Sequence, residues 1–217
     1  MTCEVVIAVR GGPGAKFRCR ERLNAREREA LVEAMLCDML QALAACAAVR
    51  RVYVATPTPG LARIAAGRGA VVILEAAASN LNRTFASARR RIVATNPTAT
   101  LALLPGDLPL LDAAELTACL QAAEDGAVVI APATADGGTG ALIHRADVPL
   151  PLAFGPDSFR NHCAAAAALG LDVRRVDAPS LGFDVDRPED LDALAAAPSA
   201  GRAAGLMRTL LAEEAAA

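Results

Sequence analysis

Thr98-Ala-Thr-Leu-Ala-Leu-Leu-Pro-Gly-Asp107-Leu-Pro-Leu-Leu111 is the segment from which the architecture can be worked out. Its apolar residues 99–104 end at Pro105-Gly106, which is typical of a strand buried on both faces. Asp107 follows at once, and the carboxyl edge of a parallel sheet is where such folds bind ligands. The surrounding prolines and glycine favour a stiff turn over a helix. Asp107 is therefore a candidate functional carboxylate, with an ordinary turn aspartate as the alternative.

The composition argues against several classes of protein. The chain has 217 residues, one tyrosine, no tryptophan and a net charge of −2, so it lacks both the stacking platforms and the positive charge of a nucleic-acid binder. It contains no run of 18 apolar residues and no leader, so we expect a cytoplasmic protein without a membrane partner. The six cysteines form no C-x-x-C pair, which indicates free thiols and no structural zinc.

Apolar runs alternate with helical patterns along the chain. Strands are predicted at residues 4–9, 52–55, 70–74, 99–104, 127–131, 140–144 and 173–176, the last of them at a sheet edge. Helices are predicted at residues 24–43, 59–67, 80–95, 112–123 and 157–169, and another begins at Pro188. This alternation predicts an α/β three-layer sandwich with a mostly parallel mixed sheet. We expect a single domain over residues 1–197 and an alanine-rich helical tail over residues 198–217.

Local signals mark the starts and faces of these helices. Asn24 with Glu27, and Asp112 with Glu115, match the capping-box pattern. Asp186 is a candidate cap for the helix that begins at Pro188. The run Arg89-Arg-Arg91 is interpreted as a solvated helix face, and the apolar stripe of the first helix could support a homodimer.

The loop from Arg10 to Lys16 is a candidate phosphate-binding loop. Glycines let backbone N–H groups approach an anion, and nearby cations would add positive charge. The pattern matches neither the kinase-type P-loop nor the dinucleotide-binding fingerprint, and a solvated connection is the alternative. The glycines are Gly11, Gly12 and Gly14, and the cations are Lys16, Arg18, Arg20 and Arg22.

Asp184-Val-Asp186 is a second acidic motif. In an extended segment, residues i and i+2 point to the same side, so both carboxylates can converge on one cation. Mg²⁺ would relieve their mutual repulsion. Together with Asp107 these residues suit a site for Mg²⁺ and a triphosphate, whereas a solvated turn is the alternative.

Two further segments are candidate substrate loops. Asp136-Gly-Gly-Thr139-Gly-Ala-Leu142 offers a hydroxyl and backbone N–H groups, and Phe154-Gly-Pro-Asp-Ser158-Phe159 places Gly155 and Ser158 at a helix N-terminus. That position favours a carboxylate or phosphate, although Ser158 could equally be a cap. His144 is interpreted as structural and His162 as exposed, and neither is placed for a catalytic triad.

Taken together, these segments resemble the 2-phospho-L-lactate guanylyltransferases of coenzyme F-420 biosynthesis, a family that includes phosphoenolpyruvate and 3-phospho-D-glycerate guanylyltransferases. The matching pieces fall in the family's order between Val5 and Leu191. They are Ala15-Lys16 with Arg22-Leu23, Ala34-Met-Leu-Cys-Asp38, Asn80-Leu-Asn82, Leu104-Pro-Gly-Asp-Leu-Pro109, Asp136-Gly-Gly-Thr139, Phe154-Gly-Pro-Asp-Ser-Phe159 and Phe183-Asp-Val-Asp-Arg-Pro188.

The resemblance implies a Rossmann-like nucleotidyltransferase domain of the glycosyltransferase-A type. It implies a Mg²⁺-dependent reaction of GTP with a small phosphorylated acid, release of pyrophosphate, and hand-off of the product to a downstream transferase. The implied metal ligands are Asp107, Asp184 and Asp186, which together with Lys16 form the implied catalytic set. The implied acid-binding residues are Thr139, Gly155 and Ser158. The implied nucleotide-binding residues are Gly11, Gly12, Gly14, Lys16, Asn82, Pro105 and Gly106.

The chain departs from the family pattern at two places. Residues 17–21 stand between Lys16 and Arg22-Leu23, which affects the register of the phosphate loop, and Gly140 replaces a frequent asparagine. The acid stays open between 2-phospholactate, phosphoenolpyruvate and 3-phosphoglycerate. Alternative functions are a molybdopterin guanylyltransferase, a cytidylyltransferase, a nucleotide-sugar glycosyltransferase and a non-catalytic GTP-binding module.

Overall fold

The computed structural model describes residues 2–75, 80–134 and 137–216. The strands are β1 (Cys3–Ala8), β2 (Val49–Thr56), β3 (Val71–Leu74), β4 (Thr100–Pro105), β5 (Val128–Pro132), β6 (Thr139–Arg145) and β7 (Val173–Arg175). The helices are α1 (Ala25–Ala45), α2 (Pro59–Ala66), α3 (Leu81–Thr95), α4 (Ala113–Ala122), α5 (Ser158–Ala168), α6 (Pro179–Gly182), α7 (Pro188–Ala196) and α8 (Arg202–Ala216), with a 3-10 helix at Phe17–Cys19. Each predicted strand and helix is found with its ends moved by a few residues, whereas α6 and the 3-10 helix were not predicted.

The strands form one sheet in the order β3-β2-β1-β4-β6-β5-β7. β6 runs antiparallel to both of its neighbours and the other pairs are parallel, so the predicted mostly parallel mixed sheet is confirmed. β7 lies at an edge, as predicted. Alternate residues of β1 pack into two hydrophobic cores, one on each face of the sheet. Val5 and Ile7 belong to one core, and Val6 and Ala8 belong to the other. Helices therefore cover both faces of the sheet.

The turn after β4 brings Asp107 beside the loop that follows β1. Ala8 of β1 pairs in register with Pro105 of β4. A Cβ atom on Gly106 would lie 2.4 Å from the Cβ of Val9 and 2.8 Å from the carbonyl oxygen of Ala8, so only glycine fits there. This close approach places the Asp107 carboxylate at the carboxyl edge of both central strands.

Of the two predicted capping boxes, only the first forms. Asn24 accepts hydrogen bonds from Arg26 N and Glu27 N, and Glu27 accepts one from Asn24 N. Asp112 does cap α4, but Glu115 accepts instead from the backbone and hydroxyl of Ser180, at 2.9 and 2.7 Å. The prediction of a second capping box was therefore wrong. Glu115 does not bond back to the backbone N–H of Asp112, because Ser180 of α6 lies between these two residues.

Two assignments of charged side chains were also wrong. Asp186 does not cap α7, since Asp190 Oδ2 accepts from the backbone nitrogens of Asp186 and Arg187, at 2.8 and 2.7 Å. Arg89 does not belong to a solvated face, because its guanidinium donates to the carbonyls of Val148 and Leu150. Only Arg90 and Arg91 of that run are exposed.

Helix α1 and the C-terminal helix α8 are packed into the core. The apolar stripe of α1 (Leu31, Met35, Met39 and Leu43) is buried within the chain, so this stripe is not the surface of a homodimer, and the homodimer itself stays a prediction. Ala203, Ala204 and Met207 of α8 join the same core, and Asp38 of α1 accepts from Arg202 N and Ala203 N. The six cysteines are free thiols, as predicted. Within the described ranges, no helix combines the length and apolarity needed to cross a membrane.

Candidate active site

A cleft of about 470 Å³ opens where β4 ends and the antiparallel β6 begins. Asp107 lines this cleft and two smaller neighbouring cavities, of about 200 and 170 Å³, so all three share this residue. Candidate residues from four parts of the chain line the main cleft. They are Pro105, Asp107, Thr139, Gly155, Ser158, Asp184 and Asp186.

Two of the three aspartates, Asp107 and Asp186, pair with one ammonium group. Lys16 Nζ lies 2.6 Å from Asp107 Oδ2 and 3.6 Å from Asp186 Oδ1. Arg18 forms a short ion pair with the other oxygen of Asp186. Val185 is fully buried and donates its backbone N–H to the carbonyl of Asp107 at 3.2 Å, which joins the two acidic turns. Asp184 and Asp186 both line the cleft, as expected for residues i and i+2 of an extended segment.

These carboxylates keep Lys16 charged. Burial alone would lower the pKa of its ammonium group, but the negative charges of Asp107, Asp186 and Asp184 outweigh this effect and raise the pKa above its usual value. The Lys16 side chain is only 11% exposed and lines the neighbouring cavity of about 200 Å³, so its charge is little screened by solvent. Three carboxylates against the Lys16 ammonium and the Arg18 guanidinium leave this cluster with a net negative charge, which suits a polyphosphate together with a further cation.

A Mg²⁺ ion is predicted to bind among these carboxylates, and the oxygen atoms present fit such an ion in part. In residues 2–75, 80–134 and 137–216, no group of three or more His, Cys, Asp or Glu side chains is arranged to hold a metal. The cation among the carboxylates is the Lys16 ammonium. Asp107 Oδ1 is nevertheless buried without a hydrogen-bond partner among the described residues, and the available donors are hard carboxylate oxygens, which Mg²⁺ prefers.

Arg28 holds the candidate phosphate-binding loop in place through hydrogen bonds to backbone carbonyls. This role of Arg28 was not predicted from the sequence. The Arg28 guanidinium is buried and donates to the carbonyls of Pro13, Ala15 and Leu23, at 3.0, 3.1 and 2.8 Å. Gly11 N donates to Thr58 Oγ1 at 3.1 Å. The three glycines are absent from the residues that line the cavities around Asp107, whereas Arg10, Ala15 and Lys16 line one of them.

Two of the four basic residues predicted to add positive charge to this loop instead contact other side chains. Arg22 donates to Asp192 and Glu214 and so connects the loop to α7 and α8. Arg20 stacks on the ring of Phe17, with its guanidinium carbon 4.5 Å from the ring centre. Residues 17–21, which depart from the family pattern, contain the 3-10 helix and leave Lys16 and Arg18 beside the acidic residues.

Replacing Arg28 with methionine is expected to lower the free energy of unfolding by about 2 kcal/mol, because buried carbonyls lose their donor. The predicted phosphate-binding loop should also lose its support, so the affinity of the protein for a nucleoside triphosphate should fall. Urea unfolding and equilibrium titration with GTP check this. Arg26→Met removes an exposed arginine of the same helix and should leave both quantities near wild type. Equal effects of the two substitutions would contradict this role of Arg28.

The acid-binding candidates Thr139 and Ser158 lie together on one wall of the cleft. Both are buried, at 5% and 1% exposure, and Ser158 Oγ has no hydrogen-bond partner among the described residues. Asp157, not Ser158, is the N-cap of α5, so the capping alternative for Ser158 was wrong. Phe159 N donates to the carbonyl of Gly137 at 3.1 Å, which connects the two candidate substrate loops. Asp136 of the first loop lies outside the described residues.

His162 was predicted to be exposed, and this was wrong. It is fully buried one turn after Ser158, and its ring packs edge-on against Phe154 at 4.9 Å. Its Nδ1 lies 3.0 Å from Thr139 Oγ1, and its Nε2 accepts from Ala153 N at 2.9 Å. The helical spacing i, i+4 places it on the same face as Ser158, toward the cleft wall.

Asn82 and His144 support the protein backbone. The Asn82 amide accepts from Phe154 N and donates to Phe154 O, at 2.7 and 3.0 Å, so it holds the second substrate loop. Its assignment as a nucleotide contact stays a prediction. His144 is buried and donates from Nδ1 to the carbonyl of Arg145 at 2.7 Å, consistent with a structural residue.

The two buried histidines are expected to make stability depend on pH. Burial lowers the pKa of both His144 and His162 from 6.5 to about 4. Between these values the unfolded chain binds protons that the folded chain does not, so stability falls as the pH is lowered, by about 1.2 kcal/mol per pH unit for each ring. Urea unfolding between pH 7 and 5 measures this slope. His144→Asn should remove roughly half of it, and an unchanged slope in this variant would contradict the assignment.

A family model and the curated relatives all identify this chain with guanylyl transferases. The model of the family described as "Guanylyl transferase CofC like" matches residues 3–211. A 3-phospho-D-glycerate guanylyltransferase from Phenylobacterium zucineum is 46% identical over 209 residues, which cover 95% of this chain and 96% of the relative. A phosphoenolpyruvate guanylyltransferase from Rubrobacter xylanophilus is 38% identical over 197 residues, which cover 90% of this chain and 95% of the relative.

Solved structures agree with the fold. A crystal structure assigned to a nucleotide-diphospho-sugar transferase from Desulfovibrio desulfuricans G20 matches with a TM-score of 0.80 at 20% identity, covering 98% of this chain and 96% of that one. A nucleotidyl transferase from Methanothermobacter thermautotroptrophicus matches with a TM-score of 0.66 at 16% identity, covering 96% and 99%. The predicted nucleotidyltransferase fold is thereby confirmed.

Proposed function

Because this chain belongs to the CofC-like guanylyl transferase family, we propose that its cleft joins GTP to a small phosphorylated carboxylic acid. A phosphate oxygen of the acid attacks the α-phosphorus of GTP, the bond to the β-phosphate breaks, and pyrophosphate leaves. The product is a guanosine diphospho-acid. The observation that carries the proposal is that one cleft is lined both by the three aspartates, two of which pair with Lys16 (the acidic wall), and by the buried hydroxyls of Thr139 and Ser158 (the hydroxyl wall).

The hydroxyl wall binds the acid. Thr139 and Ser158 offer two buried hydroxyl groups, and Gly155 lines the cleft beside them at the start of the loop before α5. Hydroxyl donors next to a helix N-terminus favour a carboxylate, and their burial strengthens each hydrogen bond. The acid is thereby oriented with its phosphate toward Asp107 and Lys16.

The acidic wall binds the triphosphate. Asp107, Asp184 and Asp186 would hold Mg²⁺, which when bound supplies neutralisation of the phosphate charge. Lys16 contributes a fixed positive charge from the chain itself, and on nucleotide binding its ammonium exchanges a carboxylate partner for a phosphate oxygen. Pro105 and Gly106 line the neighbouring cavity of about 170 Å³ next to Asp107, which supports their proposed role in binding part of the nucleotide.

The reaction needs no general base, because a phosphate monoester is already ionised at physiological pH. Both histidines are buried and bonded to other protein groups, which agrees with this chemistry. Catalysis then depends on positioning and on charge neutralisation.

We propose 3-phospho-D-glycerate as the preferred acid, ahead of phosphoenolpyruvate and 2-phospholactate. The 46% identical relative is named for 3-phospho-D-glycerate, and the relatives named for phosphoenolpyruvate reach 38%. In coenzyme F-420 biosynthesis, the guanosine diphospho-acid would pass to a downstream transferase. The proposal therefore places the protein before a step that consumes an activated phospho-acid.

The test is pyrophosphate release from GTP, ATP or CTP with each of the three acids, in the presence of Mg²⁺ or EDTA, followed by mass detection of the product. We expect release only with GTP, an acid and Mg²⁺, and the highest kcat/KM with 3-phospho-D-glycerate. GTP binding without turnover of any acid would instead favour a non-catalytic module. Consumption of a nucleotide sugar without pyrophosphate would favour a glycosyltransferase, and turnover of a pterin acceptor would favour a molybdopterin guanylyltransferase.

A further inference from the structure

We propose that His162 is a positioning residue that fixes the Thr139 hydroxyl as a hydrogen-bond donor to the anionic group of the acid in the cleft. This inference rests on the proposed function, because it concerns the wall that binds the acid. His162 itself is fully buried and would act only through Thr139.

The hydrogen bonds determine which nitrogen of His162 carries the proton. The backbone N–H of Ala153 can only donate, and it lies 2.9 Å from His162 Nε2. Nε2 must therefore be the unprotonated, accepting nitrogen. A neutral imidazole then carries its proton on Nδ1, which lies 3.0 Å from Thr139 Oγ1.

The Thr139 hydroxyl consequently receives a hydrogen bond from His162. A hydroxyl group has one hydrogen to donate, and with its oxygen accepting from Nδ1 this hydrogen is left for another acceptor. Thr139 lines the cleft together with Gly140, Gly155 and Ser158. Its hydroxyl hydrogen is thus available to a carboxylate or phosphate that enters the cleft.

Two further features keep the ring in this state. Phe154 packs edge-on against the imidazole and itself packs against Phe85, with ring centres 4.7 Å apart. Burial lowers the pKa of His162 to about 4, so the ring stays neutral at physiological pH. A protonated ring would carry hydrogens on both nitrogens and would turn Nε2–H toward the Ala153 N–H, two donors facing each other.

The adjacent Ser158 indicates that this wall is prepared for an anion. The residue is only 1% exposed, and its Oγ atom is buried without a hydrogen-bond partner in the described part of the chain. A buried hydroxyl without a partner is costly unless a ligand satisfies it. Ser158 and Thr139 would then present two donors to one anionic group.

The test compares two substitutions that each keep one nitrogen of the ring. His162→Asn places an amide nitrogen near the position of Nδ1 and keeps the donor to Thr139, whereas His162→Gln keeps a polar atom near Nε2 and removes that donor. We expect His162→Gln and Thr139→Val each to raise the KM for the acid about tenfold, with little change in kcat or in the KM for GTP. His162→Asn should stay within about twofold of wild type.

The double variant separates positioning from a general structural effect. In the Thr139→Val background, His162→Gln should raise the KM for the acid no further, because the histidine acts through the missing hydroxyl. A further tenfold rise, or an equal rise in the KM for GTP, would overturn the inference. The urea midpoint of each variant shows whether the KM changes come from unfolding.

A second readout does not depend on turnover. The chain has two histidines, so ¹⁵N spectra of the imidazole rings can be assigned with a His144→Asn variant. We expect the His162 proton on Nδ1, and a proton on Nε2 would overturn the inference whatever the enzyme does. If wild-type protein releases no pyrophosphate with any acid, the proposed function fails, and the role of His162 in acid binding fails with it. If wild type turns over and His162→Gln is unchanged, only the inference fails.

Discussion

Asp107→Asn is expected to lower kcat/KM for guanylyl transfer by at least about 1000-fold, because it removes the negative charge of the residue that the cleft and the two neighbouring cavities share. The substitution keeps the size of the side chain. The nearby backbone contact from Val185 N goes to the Asp107 carbonyl, which the variant retains. The substitution also removes a charged partner from the buried Lys16 ammonium, while Asp186 remains as a second partner, so we expect the free energy of unfolding to fall by about 1–3 kcal/mol.

Asp125→Asn is the matched control. Asp125 is an exposed aspartate paired with Arg174 at the opposite edge of the sheet, and its loss should leave kcat/KM unchanged. Steady-state pyrophosphate release and urea unfolding measure both variants. Near-normal turnover of Asp107→Asn with Mg²⁺ would exclude this carboxylate from the reaction.

Gly140→Ala is expected to destabilise the protein by about 3 kcal/mol or more, because a close backbone contact leaves no space for a side chain. A Cβ atom there would lie 1.7 Å from the carbonyl oxygen of Leu181 and 2.8 Å from its carbonyl carbon. Relief of this overlap requires α6 to move away from β6. Because the carbonyl of Gly182 accepts hydrogen bonds from the backbone N–H and the hydroxyl of Thr134, and Ser180 donates to Glu115, a shift of α6 should also displace the Asp184–Asp186 turn that follows it.

Gly205→Ala is the control for this substitution. A Cβ atom at Gly205, within α8, has no heavy atom within 4 Å, so alanine should raise stability by about 0.5–1 kcal/mol. Thermal and urea unfolding of both variants give the comparison. A Gly140→Ala protein as stable as Gly205→Ala would contradict the close approach of α6 to β6.

The strands, the helices and the mostly parallel character of the sheet were predictable from the sequence, because short apolar runs alternate with helical patterns at a spacing that suits βα units. The strand order and the antiparallel direction of β6 were not predicted. The central strand β4 and the turn at Asp107 were located correctly, since the proline and glycine after the run admit few conformations. The four-residue α6 was missed because one helical turn carries no periodicity. Its absence from the prediction also hid Ser180, the true partner of Glu115.

The candidate site was predictable where its residues carry unusual chemistry and not where their role depends on a distant partner. Asp107, Asp184 and Asp186 line one cleft with Thr139 and Ser158, which their motifs had suggested. Arg28 looked like one more charge in a charged helical segment, because the carbonyls it bonds become its neighbours only when the glycine loop folds back.

His162 is a second residue whose environment could not be predicted from the sequence. Helix α5 is rich in alanine, so its apolar pattern does not distinguish a buried face from an exposed one. The contacts that bury the ring come from Ala153 and Thr139, in segments that precede the helix. One signal was present, since a polar side chain one turn after Ser158 shares its face of the helix.

Isotope tracing tests the central claim most directly, because it shows which bond is made in the cleft. 3-Phospho-D-glycerate labelled with ¹⁸O in its phosphate is incubated with unlabelled GTP, Mg²⁺ and the enzyme, and both products are analysed by mass spectrometry. We predict that all of the label stays in the guanosine diphospho-acid and that the pyrophosphate is unlabelled, as attack by the acid's phosphate oxygen on the α-phosphorus of GTP requires. Label in the pyrophosphate, or no labelled guanosine product with any of the three acids, would contradict the account.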